Sequence, residues 1–198
     1  MRFGTTTAVL VLATGVIFGG AAAQVNPPGT KTTISANPWV QAELQPEHAL
    51  LKGLVGHWTT TVHTYGGPFA RVADTVGTAD GKLLMGGLFV EVTQTETRMK
   101  QAFEAVMTYG FNEGLVKYTA DSIDNAGTES VHFTGTYDAA KKQIVMNSHY
   151  TEGKLRRLAI RRTVTTFVDD KTWTYQEFVS RAVNAPEVPV VAITFKKG

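Results

Sequence analysis

Histidines are the first residues in this chain with the chemistry to bind a metal or to transfer a proton. His57 and His63 lie six residues apart in one run of strand-forming residues, so they project from the same face of a strand. If Trp58, Thr60 and Val62 face the interior, both histidines face outward. A zinc site needs three or four converging ligands, and we therefore expect no metal centre at this pair.

The other histidines divide into two groups. His132 and His149 alternate with apolar residues on their strands, so we expect them on the outer face as well. His48 lies on a short predicted helix whose face is otherwise apolar. Two interpretations of His48 stay open: a packing residue beneath the helix, or a contact at a cavity mouth, where it is a candidate acid or base.

Glu177 is the most interesting carboxylate, because it follows Trp173 and Tyr175 on one face of a predicted strand. A carboxylate on an aromatic face is either partnered by a cation or has a raised pKa. Arg156 and Arg162 are the available cations, and an interior Arg–Glu pair can recognise a carboxylate head group. The alternative, that these charges face solvent, stays open.

Several other chemistries find no support in the sequence. The chain contains no cysteine, which excludes disulfides, thiolate metal sites and a cysteine nucleophile. It has no Gly-x-Ser-x-Gly motif and no phosphate-binding loop. The formal net charge of +2 supplies no strongly basic surface, so we expect no nucleic-acid partner.

The elements that must position these side chains are almost all strands. Glu43 to Val55 is the one predicted helix, and Ala79-Asp80-Gly81 is one of several predicted turns. The predicted strands are 57–65, 71–78, 83–93, 101–109, 115–122, 128–136, 142–150, 155–165, 171–180 and 189–197. Consecutive strands joined by tight turns form an antiparallel meander, and closure into a barrel removes its exposed edges. The sequence predicts an all-β fold, a single antiparallel barrel of about ten strands with a short N-terminal capping helix.

The N-terminal segment predicts export. Residues 1–23 have the pattern of a signal peptide, with Arg2 before an apolar run and small residues at Ala21–Ala23 for cleavage after Ala23. Residues 24–43 are expected to form an extended linker or arm, and residues 44–198 the barrel domain. The expected location is periplasmic or secreted, with no stable membrane span after cleavage.

Five separated segments of the chain carry a family-like pattern. The first is His48-x-x-Leu51-x-x-Leu54-x-Gly56-x-Trp58. The others are residues 84–90, 109–112, 121–125 and 135–138. These segments, and the ending 193–197, resemble one bacterial family, which is catalogued as domain of unknown function 1579. The resemblance spans about residues 44 to 198. It implies a calycin-type barrel and implies no activity.

Gly56-x-Trp58 also resembles the first-strand motif of lipocalins, where the tryptophan closes the narrow end of the barrel. The resemblance implies structural roles for Gly56 and Trp58. Nitrobindin-like barrels are a haem-binding relative of this architecture, with an axial histidine near the C-terminus. Here the last histidine is His149 and the final predicted strand has none. We therefore expect no cofactor, haem included.

A barrel of this size has an interior wide enough for one small ligand. We expect it to bind a small hydrophobic or amphipathic molecule such as a lipid, a fatty acid or an aromatic metabolite. The expected polar anchors are Glu177 and Arg162, and the other lining residues are Thr60, Val62, Met107, Tyr109, Tyr118, Met146 and Tyr175.

Two other functions stay open at this point. One is a calycin-type enzyme, an isomerase or cyclase that uses Glu177 or His48 as acid or base. The other is a partner-binding module, in which the extended arm packs on another subunit, for example in a homodimer.

Overall fold

The computed structural model describes residues 42–66, 72–152, 157–181 and 185–198. The predicted signal peptide, most of the predicted arm, and Arg156 lie outside these residues. One short helix, α1 (His48–Leu51), continues into a 3-10 turn (Lys52–Leu54). The strands are β1 (Gly56–Thr64), β2 (Ala73–Leu84), β3 (Phe89–Arg98), β4 (Gln101–Asn112), β5 (Lys117–Asp124), β6 (Val131–Asp138), β7 (Gln143–Glu152), β8 (Arg157–Asp169), β9 (Thr172–Ser180) and β10 (Val188–Lys197).

The ten strands form one closed antiparallel barrel. Each strand pairs with the next one along the chain, and β10 pairs with β1 to complete the ring. The closing pair runs from Trp58 opposite Lys197 to Thr64 opposite Val191. Closure gives every strand two hydrogen-bonded neighbours, which leaves no exposed sheet edge. The predicted all-β barrel of about ten strands with a preceding short helix is confirmed.

Side chains alternate between the interior and the outer face along each strand. In β1 the inward residues are Trp58, Thr60 and Val62, each at most 1% exposed, and His57 and His63 point outward. The outer positions carry polar residues because water satisfies their hydrogen bonds at no cost of burial. The predicted inward and outward faces of β1 are therefore confirmed.

Aromatic and aliphatic side chains seal the barrel end that lies next to α1. Leu51 and Leu54 are fully buried, and the indole Nε1 of Trp58 donates a hydrogen bond to the Leu54 carbonyl oxygen at 3.1 Å. Trp58 meets Trp173 edge to face, with ring centroids 6.0 Å apart, and Phe195 stacks on Trp173 at 3.5 Å. These rings form a floor across the barrel, which agrees with the structural role expected for Trp58.

The predicted turn at Ala79-Asp80-Gly81 is wrong, because these residues continue β2 as far as Leu84. Ala79 is buried and faces inward, and Asp80 faces outward opposite His57. Gly81 lies against the capping segment, where the Leu54 carbonyl oxygen takes the place of a side chain. The glycine that suggested a turn is needed because the backbone of the capping segment approaches this strand closely.

The predicted helix Glu43 to Val55 is also too long. Regular helix begins only at His48 and changes to a 3-10 turn at Lys52. Such a short helix is marginal by itself, and the burial of Leu51 and Leu54 stabilises it.

Substituting Gly81→Ala tests how closely the cap sits on the barrel. A Cβ at residue 81 would lie 1.9 Å from the Leu54 carbonyl oxygen, so the cap must shift and strain its contact with Trp58. We expect a loss of about 1–3 kcal/mol in the free energy of unfolding, measured by chemical denaturation. Gly114→Ala is the control, because its Cβ meets nothing closer than 3.5 Å. Equal stability of the two variants would contradict a tightly seated cap.

Candidate functional site

A cavity of about 240 Å³ occupies the barrel interior beyond the aromatic floor. Its walls include the last residues of three strands, Thr64 of β1, Arg98 of β3 and Asp124 of β5, so it reaches the end opposite α1. We call it the distal cavity. Its apolar walls are formed by Val92, Phe103, Ala105, Met107, Tyr109, Trp173, Val190, Val191, Ile193 and Phe195.

Three polar side chains on β8 and β9 meet at one wall of the distal cavity. The hydroxyl of Tyr175 donates a hydrogen bond to Glu177 Oε2 at 3.1 Å. The Nε of Arg161 lies 3.4 Å from Glu177 Oε1. The Arg161 and Glu177 side chains are 27% and 13% exposed, so the pair is largely removed from water. We call these three residues the Glu177 cluster.

Burial dominates the electrostatics of this cluster. It raises the pKa of Glu177 above its ordinary value, and the opposing effects of Arg161 and of the Tyr175 hydroxyl are smaller. Burial, followed by the nearby Glu177 charge, raises the pKa of Tyr175 well above its ordinary range. Burial also raises the pKa of Tyr109 to about 12. Both tyrosines stay protonated at neutral pH, and Glu177 takes up a proton more readily than an exposed glutamate.

A second buried ion pair lies on β3. Arg98 donates from Nε to Glu96, whose side chain is fully buried and also accepts a hydrogen bond from the Thr75 hydroxyl. The Arg98 guanidinium lies 3.5 Å from the ring centroid of Phe103. Arg98 and Phe103 line the distal cavity, which is therefore polar at two separate places on its wall.

Two residues that line the distal cavity each carry a buried donor with no hydrogen-bond partner among the described residues. The donors are the side-chain Nε2 of Gln94 and the indole Nε1 of Trp173. Gln94 is 7% exposed and Trp173 is 2% exposed. An unsatisfied buried donor costs about 1–3 kcal/mol, so an acceptor atom within reach of either donor would stabilise it.

The residues predicted to line a ligand site separate into three groups in the structure. Met107, Tyr109, Tyr175 and Glu177 line the distal cavity. Thr60, Val62, Tyr118 and Met146 face inward but belong to the packed interior, where each is at most 5% exposed. Arg162 forms the third group, because its side chain lies outside the barrel interior.

The expectation that Arg162 faces the interior is wrong. Its side chain lies on the outer surface of β8, where Nη2 pairs with Glu187 Oε2 at 2.6 Å and the guanidinium stacks over Phe178. The interior cation is its neighbour Arg161. Side chains alternate along the strand, and Thr163 sets the face: it lies opposite the inward-facing Met146, so residues 161 and 163 point inward.

His48 lies at the sealed end, away from the distal cavity. Its Nδ1 accepts a hydrogen bond from the backbone N–H of Gln45 at 2.9 Å, and its ring meets Phe111 edge to face. The residue is 3% exposed. These contacts favour the packing interpretation of His48 over the acid–base interpretation.

The outward histidines make cross-strand pairs with aspartates. His57 contacts Asp80 at 2.8 Å and His63 contacts Asp74 at 2.7 Å, and the third pair joins His132 and Asp121 at 2.8 Å. Within the ranges that the structure describes, no group of three or more acids and histidines could hold a metal ion. No helix in the same ranges is long and apolar enough to cross a membrane.

Sequence reasoning missed Arg161, Gln94, Glu96 and Arg98. Gln94 and Glu96 continue, at every second residue, the face of β3 on which Val90 and Val92 are buried. This spacing could have identified them as inward-facing. For Arg161 the signal was misleading. The outer face of β8 carries the apolar Ile160 and Val164, whereas the inner face carries Arg161 and Thr163. Choosing the more hydrophobic face as the inner one therefore assigns the two faces of β8 the wrong way round.

Together the fold and the site define a class: a closed antiparallel ten-stranded β-barrel, sealed at one end by aromatic rings and hollow toward the other. The family model described as "Protein of unknown function (DUF1579)" matches residues 43–197. The chain belongs to this family.

A solved structure agrees with the fold. The chain is similar to the crystal structure of Rv2717c from M. tuberculosis, with a TM-score of 0.53 and 14% sequence identity. The match covers 79% of this chain and 99% of the Rv2717c chain. At this identity the likeness concerns the barrel fold alone. No curated protein matches the chain.

Substituting Glu177→Gln tests the raised pKa. A folded-state pKa above the unfolded value means that the folded protein binds the proton more tightly, so stability falls as pH rises from the unfolded toward the folded pKa. Glutamine is neutral at every pH. We expect the melting temperature of wild type to fall relative to that of E177Q as the pH is raised through and above about 4.5. Parallel curves from about pH 4 to about pH 8 would show that the pKa is not raised.

Proposed function

We propose that this protein is an exported barrel that binds one small amphipathic molecule in the distal cavity. The observation that carries the proposal is the distal cavity, which has an extended apolar wall and the buried Arg161–Glu177–Tyr175 cluster at one side. Binding sites for small molecules combine these features: apolar surface supplies affinity, and a few placed polar groups orient the guest.

The cavity volume favours a compact guest. About 240 Å³ is smaller than the roughly 300–1,000 Å³ of common ligand pockets. A single ring or a short chain suits this space better than a long acyl chain. Met107 lines the same space, and its flexible thioether can adapt to the shape of an apolar guest.

The experiment is to fill the cavity and measure ligand retention. Ala105 lines the cavity on β4, and a tryptophan there occupies the space of the guest. We expect A105W to lose the small molecule that co-purifies with wild type, as measured by native mass spectrometry of protein from the producing bacterium.

Glu104→Trp is the matched control. Glu104 is the adjacent residue on β4, is exposed and points outward, so the same bulk at this position leaves the cavity empty for the guest. Both variants should show wild-type far-UV circular dichroism. A wild-type protein that carries no guest and binds none from a panel of small amphipathic molecules contradicts the proposal, as does equal retention by A105W and E104W.

Export is the second part of the proposal and depends on the pattern of residues 1–23. We expect the mature protein to begin at Gln24 and to be recovered from the periplasm or the medium. Intact-mass measurement of the protein from a Gram-negative host checks the cleavage site. Ala23→Arg is the informative variant, because a large charged side chain does not fit the small-residue cleavage position. Full-length wild-type protein in the cytoplasm would contradict export.

A further inference from the structure

The polar atoms on the cavity wall identify the chemical class of the guest. We propose that the ligand is a compact organic acid with a second acceptor oxygen, and that its carboxylate displaces Glu177 from Arg161. This inference rests on the proposed function, because it assumes that the distal cavity is the binding site. Beyond the proposed function, it specifies the charge of the ligand, the acceptor atoms that the ligand carries and the residue that recognises its carboxylate.

The contact between Arg161 and Glu177 is the place where a carboxylate fits. The Arg161 Nε to Glu177 Oε1 distance of 3.4 Å is longer than the 2.7–2.9 Å of a strong charge-assisted hydrogen bond. A planar guanidinium can donate two parallel N–H hydrogen bonds to the two oxygens of one carboxylate. A ligand carboxylate with better geometry can therefore compete with Glu177 for the same cation.

Two carboxylates cannot both stay charged beside one guanidinium in a buried wall, because their repulsion raises the pKa of one of them. Glu177 is the one that takes up the proton, since burial already favours its neutral form. The proton comes from the solvent and goes to Oε1, the oxygen that Arg161 leaves. The Tyr175 hydroxyl continues to donate to Oε2, so the neutral side chain remains held.

Charges from the neighbouring strands agree with this exchange. Besides Arg161 of β8, the groups that act on Glu177 are Asp124 of β5, which disfavours its charge, and Arg98 of β3, which favours it. Arg98 is itself paired with Glu96. Tyr109 of β4 acts on Tyr175 and stays protonated. The occupied site therefore carries the same net charge as the empty site, because the proton that Glu177 takes up offsets the negative charge of the guest.

The unpartnered donors favour an acceptor-bearing guest over an amine. Gln94 Nε2 and Trp173 Nε1 need acceptors, and an amine would bring only further donors. Trp173 and Glu177 are four residues apart on β9, a separation of about 13 Å between their backbones. One carboxylate group is too small to contact both Arg161, beside Glu177, and the indole of Trp173. The ligand thus carries a second oxygen, such as a carbonyl, on its apolar body.

The first test is the charge of the molecule released from wild-type protein. We expect a compound that ionises as a carboxylate in negative-ion mass spectrometry. A released guest without a carboxyl group overturns this inference but leaves the proposed function intact, whereas the absence of any guest or binding counts against both.

The second test uses matched probes in isothermal titration calorimetry. The probes are para-acetylbenzoate, para-acetylbenzamide, which lacks the charge, and para-isopropylbenzoate, which lacks the ketone oxygen. We expect the acid with the ketone to bind about tenfold or more tightly than either analogue. We also expect its affinity to fall as the pH rises from about 5 to about 8, with proton uptake detected as a dependence of the binding enthalpy on the buffer. Equal affinities of acid and amide, or no proton uptake, would overturn the proposal.

Variants of the Glu177 cluster test which residue binds the acid and which residue takes up the proton. Arg161→Met should weaken acid binding about tenfold or more, and Arg161→Lys should restore part of it. Glu177→Gln should bind the acid more tightly and without proton uptake, because the competing charge is gone. Arg162→Met is the control on the outer face of the same strand. If R161M and R162M bind the acid alike, or if E177Q still takes up a proton, the proposal is wrong.

Discussion

Pairing of β10 with β1 is the constraint on which the rest of the molecule depends. Once the ring closes, every strand is hydrogen-bonded on both sides, and each alternate side chain must enter an interior of limited width. Ten strands enclose more space than the side chains of this chain fill. The aromatic floor of Trp58, Trp173 and Phe195 fills one end, and the remainder is the distal cavity. The cavity thus follows from barrel closure together with the placement of three large rings.

The charges inside the barrel cost stability. Removing an ion pair from water is often no better for stability than placing apolar residues of the same volume there. Among the described residues the interior nevertheless has two such pairs, Arg161 with Glu177 and Arg98 with Glu96, and both include a residue of the cavity wall. Apolar residues at these positions would serve a purely structural barrel better. Both of these charged pairs lie toward the hollow end of the barrel, beyond the aromatic floor.

The amino-acid pattern predicts most of this fold, but of the residues that line the distal cavity it predicts only Met107, Tyr109, Tyr175 and Glu177. Alternation identifies the faces of β1 because large apolar residues occupy one side and histidines the other. It fails in β8, where Ile160 lies outside while Arg161 and Thr163 lie inside, since a cavity wall does not have to be apolar. It also fails at Gly81, whose role depends on the Leu54 carbonyl, a contact between segments that local composition does not encode.

Trp173 connects the two ends of the barrel. Its ring stacks on Phe195 as part of the floor, the residue also lines the cavity, and its buried Nε1 has no partner among the described residues. Trp58, its neighbour in the floor, donates its own Nε1 to Leu54 and is satisfied. Two indoles in contact therefore differ in one hydrogen bond. Because burial of an unpaired donor is costly, this difference distinguishes the indole that is satisfied within the floor from the indole that also lines the cavity.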